Sequence, residues 1–126
     1  MFVKEGIDKA EAIDTMPGQF RFSIDESVSQ AKELTELGIP GLILFGVPKH
    51  KDKIGSSAYD PNGIVQKTVR LIKKELEEKL IVITDVCLCQ YTDHGHCGVI
   101  EGNKILNDPT LEILQKIAIS HAEARV

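Results

Sequence analysis

Apolar runs and helical stripes alternate three times along the chain. Gly41-Leu42-Ile43-Leu44-Phe45-Gly46-Val47 and Leu80-Ile81-Val82-Ile83 are continuously apolar, which suits strands buried on both faces of a parallel sheet. Val28, Ala31, Leu34 and Leu37, and then Ile64, Val65, Thr68, Leu71, Ile72 and Leu76, recur at steps of three and four, so the spacing predicts amphipathic helices. Ser23 is the candidate N-cap of the first helix, with Asp25 and Glu26 in its first turn, and Gly38 ends it. A short first strand is expected at Phe2-Val3 and a third over Leu80–Val86. A last helix is expected from about Pro109 to Glu123, with Asp108 as its candidate N-cap. Such strand–helix–strand alternation predicts an α/β fold class with a parallel sheet. Two long loops, 48–62 and 87–107, interrupt it, and long loops inside compact domains tend to carry function.

Composition narrows the function classes. The 126 residues carry 15 Lys+Arg against 19 Asp+Glu, a formal charge of −4, with 42% hydrophobic residues. One domain is expected, without the electrostatic footprint of a nucleic-acid binder. Lys49-His50-Lys51-Asp52-Lys53 is the basic run, read as a solvated loop. No apolar stretch approaches the roughly 18 residues of a membrane span. The first residues lack a charged segment followed by a long apolar one, so a cytoplasmic location is expected. There is no P-loop, no G-x-G-x-x-G after a strand, no G-x-S-x-G and no H-E-x-x-H.

The cysteines change the picture. All three, Cys87, Cys89 and Cys97, fall in one short segment with His94 and His96. In a reducing compartment, clustered cysteines point to metal or catalysis before disulfides. If the third strand continues to Cys89, its period of two puts Asp85, Cys87 and Cys89 on one face and Val86 and Leu88 on the other. Gly95 and Gly98 would let the loop return Cys97 to the pair. Three thiolates suit zinc and leave its fourth position free for chemistry, whereas a fourth ligand from His94 or His96 would close a structural site. Free core cysteines and thiol redox chemistry are the other readings. Asp85 suits proton transfer or binding of a substrate amine, and equally a hydrogen-bonding support for a ligand or a helix cap. His121, late in the last helix, is expected to complement that helix's C-terminus.

The segment Asp85-Val86-Cys87-Leu88-Cys89-Gln90-Tyr91-Thr92-Asp93-His94-Gly95-His96-Cys97-Gly98 closely resembles the zinc signature of the porphobilinogen synthase (delta-aminolevulinic acid dehydratase) family. Phe2-Val3, Met16-Pro17-Gly18 with Arg21, Leu44-Phe45-Gly46-Val47-Pro48, Lys51-Asp52, Gly55-Ser56, Ala58-Tyr59-Asp60, Asn107-Asp108 and Ser120-His121-Ala122 extend the likeness over essentially the whole chain. The resemblance implies a (β/α)8 TIM barrel that condenses two molecules of 5-aminolevulinate to porphobilinogen in tetrapyrrole (haem) biosynthesis. It implies catalytic zinc on Cys87, Cys89 and Cys97, an active-site aspartate at Asp85, a second and weaker metal site at His96, magnesium at a further site in some members, and a homo-oligomer. A barrel of this kind needs about 250 residues, so residues 1–126 are expected to form the N-terminal portion of the catalytic domain, about three βα units. The family's chemistry also depends on two lysines, and no lysine here lies in either of their motifs. A noncatalytic zinc-binding α/β fragment is therefore the alternative reading.

Overall fold

In the computed structural model, which describes residues 1–126, β1 (Phe2–Lys4), β2 (Ala10–Ala12), β3 (Phe20–Phe22), β4 (Gly41–Val47) and β5 (Ile81–Thr84) form one sheet in the order β2-β3-β1-β4-β5. β1 pairs in parallel with β3 and β4, and β4 in parallel with β5. Only β2 runs antiparallel, as a hairpin with β3. Three helices cover this framework, α1 (Ile24–Glu36), α2 (Ile64–Leu76) and α3 (Asn107–Glu123). The predicted βαβ alternation is thus present as three βα units.

Local sequence explains the helix ends. Ser23 Oγ accepts the Glu26 N–H at 3.2 Å, satisfying one of the donors a helix start leaves free. At the other end Gly38 takes φ +78°. Its N–H donates to the Thr35 carbonyl and that of Ile39 to Leu34, the paired bonds of a Schellman ending that favours glycine.

Along β4 the side chains alternate. Leu42, Leu44 and Gly46 are buried against α1 and α2, while Ile43 on the opposite face is 41% exposed. The main core joins Val3, Leu42, Leu44 and Val82 from the sheet to Ala31, Val69 and Ile72 from the helices. Gly46 leaves room that no other residue could. A Cβ there would lie 2.5 Å from the Tyr91 hydroxyl and 2.6 Å from Val65 Cγ2. Gly46→Ala is therefore expected to destabilise the fold by about 1–3 kcal/mol through overpacking, read as a lower urea midpoint at unchanged slope.

Four expectations are corrected. The third strand ends at Thr84, short of Val86. Loop 87–107 contains a hairpin, β6 (Val99–Glu101) with β7 (Lys104–Leu106). α3 begins at Asn107, so Asp108 lies inside its first turn and caps nothing. Instead Thr110 Oγ1 donates to the Leu106 carbonyl at 2.5 Å and accepts the Val99 N–H at 3.0 Å, tying hairpin to helix. Loop 48–62 carries one short 3-10 turn, Ser56–Ala58. Gln66 in α2 fastens that turn to α3, its Nε2 donating to the Ala58 carbonyl (2.8 Å) and to Ser120 Oγ (2.9 Å).

Candidate metal centre

β5 delivers the chain to its C-terminal end and stops. The Asp85 N–H still reaches the Leu44 carbonyl at 3.4 Å, but beyond it pairing ceases. The N–H groups of Tyr91 and Thr92 both donate to the Leu88 carbonyl, at 2.9 and 3.0 Å, so Leu88–Thr92 curls into a helical turn. Leu88 is fully buried and packs with Ala58, Tyr91, Ile113 and Ile117. Val86, expected to share its face, is 41% exposed. The turn, not a strand's period, brings Cys87 and Cys89 together.

A second segment braces the turn. The Asp52 N–H donates to the Tyr91 carbonyl (3.3 Å), and the Asp93 N–H to the Asp52 carbonyl (3.0 Å). The Asp52 carboxylate accepts the Ser56 hydroxyl and the N–H groups of Ile54 and Ser56, each at 3.0 Å. These bonds, the Ser56 hydroxyl first, hold its carboxyl below the ordinary value. Thr92 Oγ1 then donates to the His96 carbonyl at 3.0 Å, and Gly95 turns at φ +74°. Gly98 finishes the return, because a Cβ there would sit 2.7 Å from both Ile105 Cγ2 and Thr110 Oγ1.

The result is a cluster of three sulfurs. Cys87 Sγ and Cys89 Sγ lie 3.5 Å apart, and the three Sγ atoms all fall within 4.8 Å of one another. Tetrahedral thiolates on zinc at about 2.3 Å stand about 3.8 Å apart, so the donor set and spacing suit such an ion. The sulfurs perturb one another. Burial acts most strongly on Cys87, upward, but hydrogen bonds from the Cys89 backbone and from the Cys97 and Cys89 thiols bring it below its ordinary value. Burial and the neighbouring sulfurs push Cys89 up to about 12. Cys97, exposed, is raised chiefly by its contact with Cys87.

Beside the cluster, Gln90 Nε2 donates to Asp85 Oδ2 at 2.6 Å, a partner the sequence reading missed. A hydrogen-bonding amide five residues away gives no periodic signal in a turn. His96 stands apart from the sulfur group. It is exposed, its N–H donates to His94 Nδ1 at 3.2 Å, and its ring centroid lies 5.6 Å from that of His94. His94 itself contacts the Lys53 carbonyl at 3.2 Å. His121 departs from expectation, being 2% exposed with neither ring nitrogen bonded. Burial lowers its pKa, opposed by the charge of Asp85.

A metal-ready cysteine trio at the C-terminal end of a parallel strand is where barrel enzymes build their sites. The model of the family described as delta-aminolevulinic acid dehydratase matches residues 1–126. The chain belongs to the delta-aminolevulinic acid dehydratase family. The dehydratase of Methanothermus sociabilis is 61% identical over 124 residues, covering 98% of this chain and 38% of that protein. That of Methanothermobacter thermautotrophicus is 55% identical over 126 residues, with the same two shares. The crystal structure of the Toxoplasma gondii dehydratase (porphobilinogen synthase), in complex with the reaction product porphobilinogen, superposes with a TM-score of 0.94 at 29% identity. It matches all of this chain and 36% of its own. The fold is therefore that of the (β/α)8 barrel family, of which these residues hold three βα units. The chain spans 38% of the length of these two dehydratases. No helix is long and apolar enough to cross a membrane.

Proposed function

We propose that these residues form the metal-bearing, N-terminal portion of the catalytic domain of a porphobilinogen synthase, which joins two molecules of 5-aminolevulinate with loss of two waters. The observation that carries this reading is the group of three cysteine sulfurs within 4.8 Å at the end of β5, in a chain matched throughout by the dehydratase family model. Cys87, Cys89 and Cys97 would hold zinc, whose affinity for sulfur favours it over magnesium here. Zinc so held supplies a Lewis acid that polarises or orients a substrate carbonyl. Asp85, its carboxylate aimed by Gln90, binds the substrate's ammonium group. His96 serves a second, weaker ion with help from outside this chain, and magnesium occupies a further site. The working protein is a cytoplasmic homo-oligomer that binds neither nucleic acid nor membrane.

The deciding experiment follows porphobilinogen formation from 5-aminolevulinate by a complete barrel carrying these residues, after chelation and on adding back metal. Recovery with zinc but not with magnesium is expected, and recovery with magnesium alone would overturn the zinc assignment. In that enzyme Asp85→Asn is expected to lower kcat/KM by roughly 10- to 100-fold, the loss of one charged hydrogen bond, at unchanged zinc stoichiometry. The alternative is a noncatalytic zinc-binding fragment. Residues 1–126 alone are then expected to bind zinc yet trap no 5-aminolevulinate on borohydride reduction.

A further inference from the structure

Both ring nitrogens of His94 are engaged by the backbone. Nδ1 accepts the His96 N–H at 3.2 Å, and Nε2 lies 3.2 Å from the Lys53 carbonyl. A ring nitrogen that accepts an amide N–H carries no proton, and one that meets a carbonyl oxygen carries it. The two contacts therefore agree on a single tautomer, neutral and with its proton on Nε2. Neither nitrogen is left for an ion, so in this arrangement His94 supplies no fourth ligand to the sulfurs.

What the ring holds is the approach to Cys97. No backbone hydrogen bond fixes the exposed Cys97 itself. The peptide groups of His96, immediately before it, are instead held by side chains from both sides, the N–H by His94 and the carbonyl by Thr92 Oγ1 at 3.0 Å. Gly95, at φ +74°, folds residue 96 back onto residue 94. Thr92 is itself anchored, being 1% exposed and bridged in parallel to Asp52. Backbone bonding between these two loops ends at Asp93, and the His94 ring continues it to Lys53.

We propose that His94 is a positioning residue of the three-cysteine site, its neutral ring clasping Lys53 to the His96 peptide and so presenting Cys97 to Cys87 and Cys89 before metal arrives. A loop ordered in advance loses less conformational freedom on binding, so the clasp raises metal affinity without touching the ion. The inference deepens the proposed zinc site and rests on that reading. It also separates His94 from His96, whose ring takes no part in the clasp and whose backbone N–H survives any change of side chain.

The test titrates the metal-free 126-residue chain with zinc against a chromophoric chelator. His94→Ala is expected to bind zinc roughly tenfold more weakly than the parent, whereas His94→Asn, whose Oδ1 takes the place of Nδ1 and accepts the same N–H, stays within about threefold. The clasp also reads out without metal, because the His96 amide N–H is expected to exchange with solvent at least about fivefold more slowly in the parent and in His94→Asn than in His94→Ala. Cobalt(II) in place of zinc is expected to give the same visible d–d bands in all three proteins. Bands altered in both variants would make His94 a ligand and overturn the proposal. So would zinc affinity in His94→Ala within about twofold of the parent, equal losses in the two variants, or a His96 N–H that exchanges alike in all three. A protected His96 N–H in a parent chain that takes up no zinc would overturn the metal reading, and the role given to His94 with it.

Discussion

Cys89→Ala is expected to weaken zinc binding by about 3 kcal/mol, roughly a hundredfold, since a four-ligand zinc site yields about 10–16 kcal/mol in total. Competition with a chromophoric chelator measures it directly. Cys89 is the informative choice because it lies in the middle of the turn, 3.5 Å from Cys87, and its removal leaves two sulfurs of which one is exposed. His96→Ala is the matched control. His96 lies outside the sulfur group, so its loss should leave this affinity within about twofold, whereas a closed site of three cysteines and a histidine would lose as much as Cys89→Ala does. Unchanged affinity in Cys89→Ala would remove the three-thiolate site altogether.

The contrast between those two variants shows what the sequence made legible. Glycine-bounded apolar runs and helical stripes located β4, α1 and α2 with their ends, because burial on both faces or on one stripe leaves a strong periodic trace. The hairpins β2–β3 and β6–β7 left none, each strand having three residues, too few for a period of two to be read. Type and spacing alone mark the three cysteines, but strand periodicity does not account for their convergence. A strand over Leu80–Val86 would need to continue to Cys89 to align Asp85, Cys87 and Cys89 by its pleat, and the chain instead leaves the sheet after Thr84 and turns about the buried Leu88. Both routes bring Cys87 and Cys89 to one side, so the sulfurs converge without the longer strand. The bracing role of Asp52, which lies in the run expected to be a solvated loop, left no trace for another reason. Its backbone bonds with Tyr91 and Asp93 link distant parts of the chain, and such contacts carry no local pattern.

Zinc affinity should rise steeply with pH, and the slope reports which thiols still hold protons. Zinc binds thiolates, so every thiol protonated in the free protein must release its proton on binding. Burial and the neighbouring sulfurs push Cys89 up to about 12, and contact with Cys87 raises Cys97 above its ordinary value, so both are protonated through neutral pH. Each contributes one proton to the exchange. Cys87 is displaced the other way, below its ordinary value, and is the first to ionise as pH rises. The logarithm of the apparent association constant is therefore expected to climb by about three per pH unit while Cys87 is protonated, easing to about two once it has ionised. Titrations with a pH-independent competitor from mildly acid pH up to the ordinary thiol value follow the slope through the ionisation of Cys87, which precedes that of the other two. A slope near one across that range would mean that two of the three sulfurs are already thiolates in the free chain. The sulfur cluster would then be charged before metal arrives, contrary to the mutual hydrogen bonding that its geometry imposes.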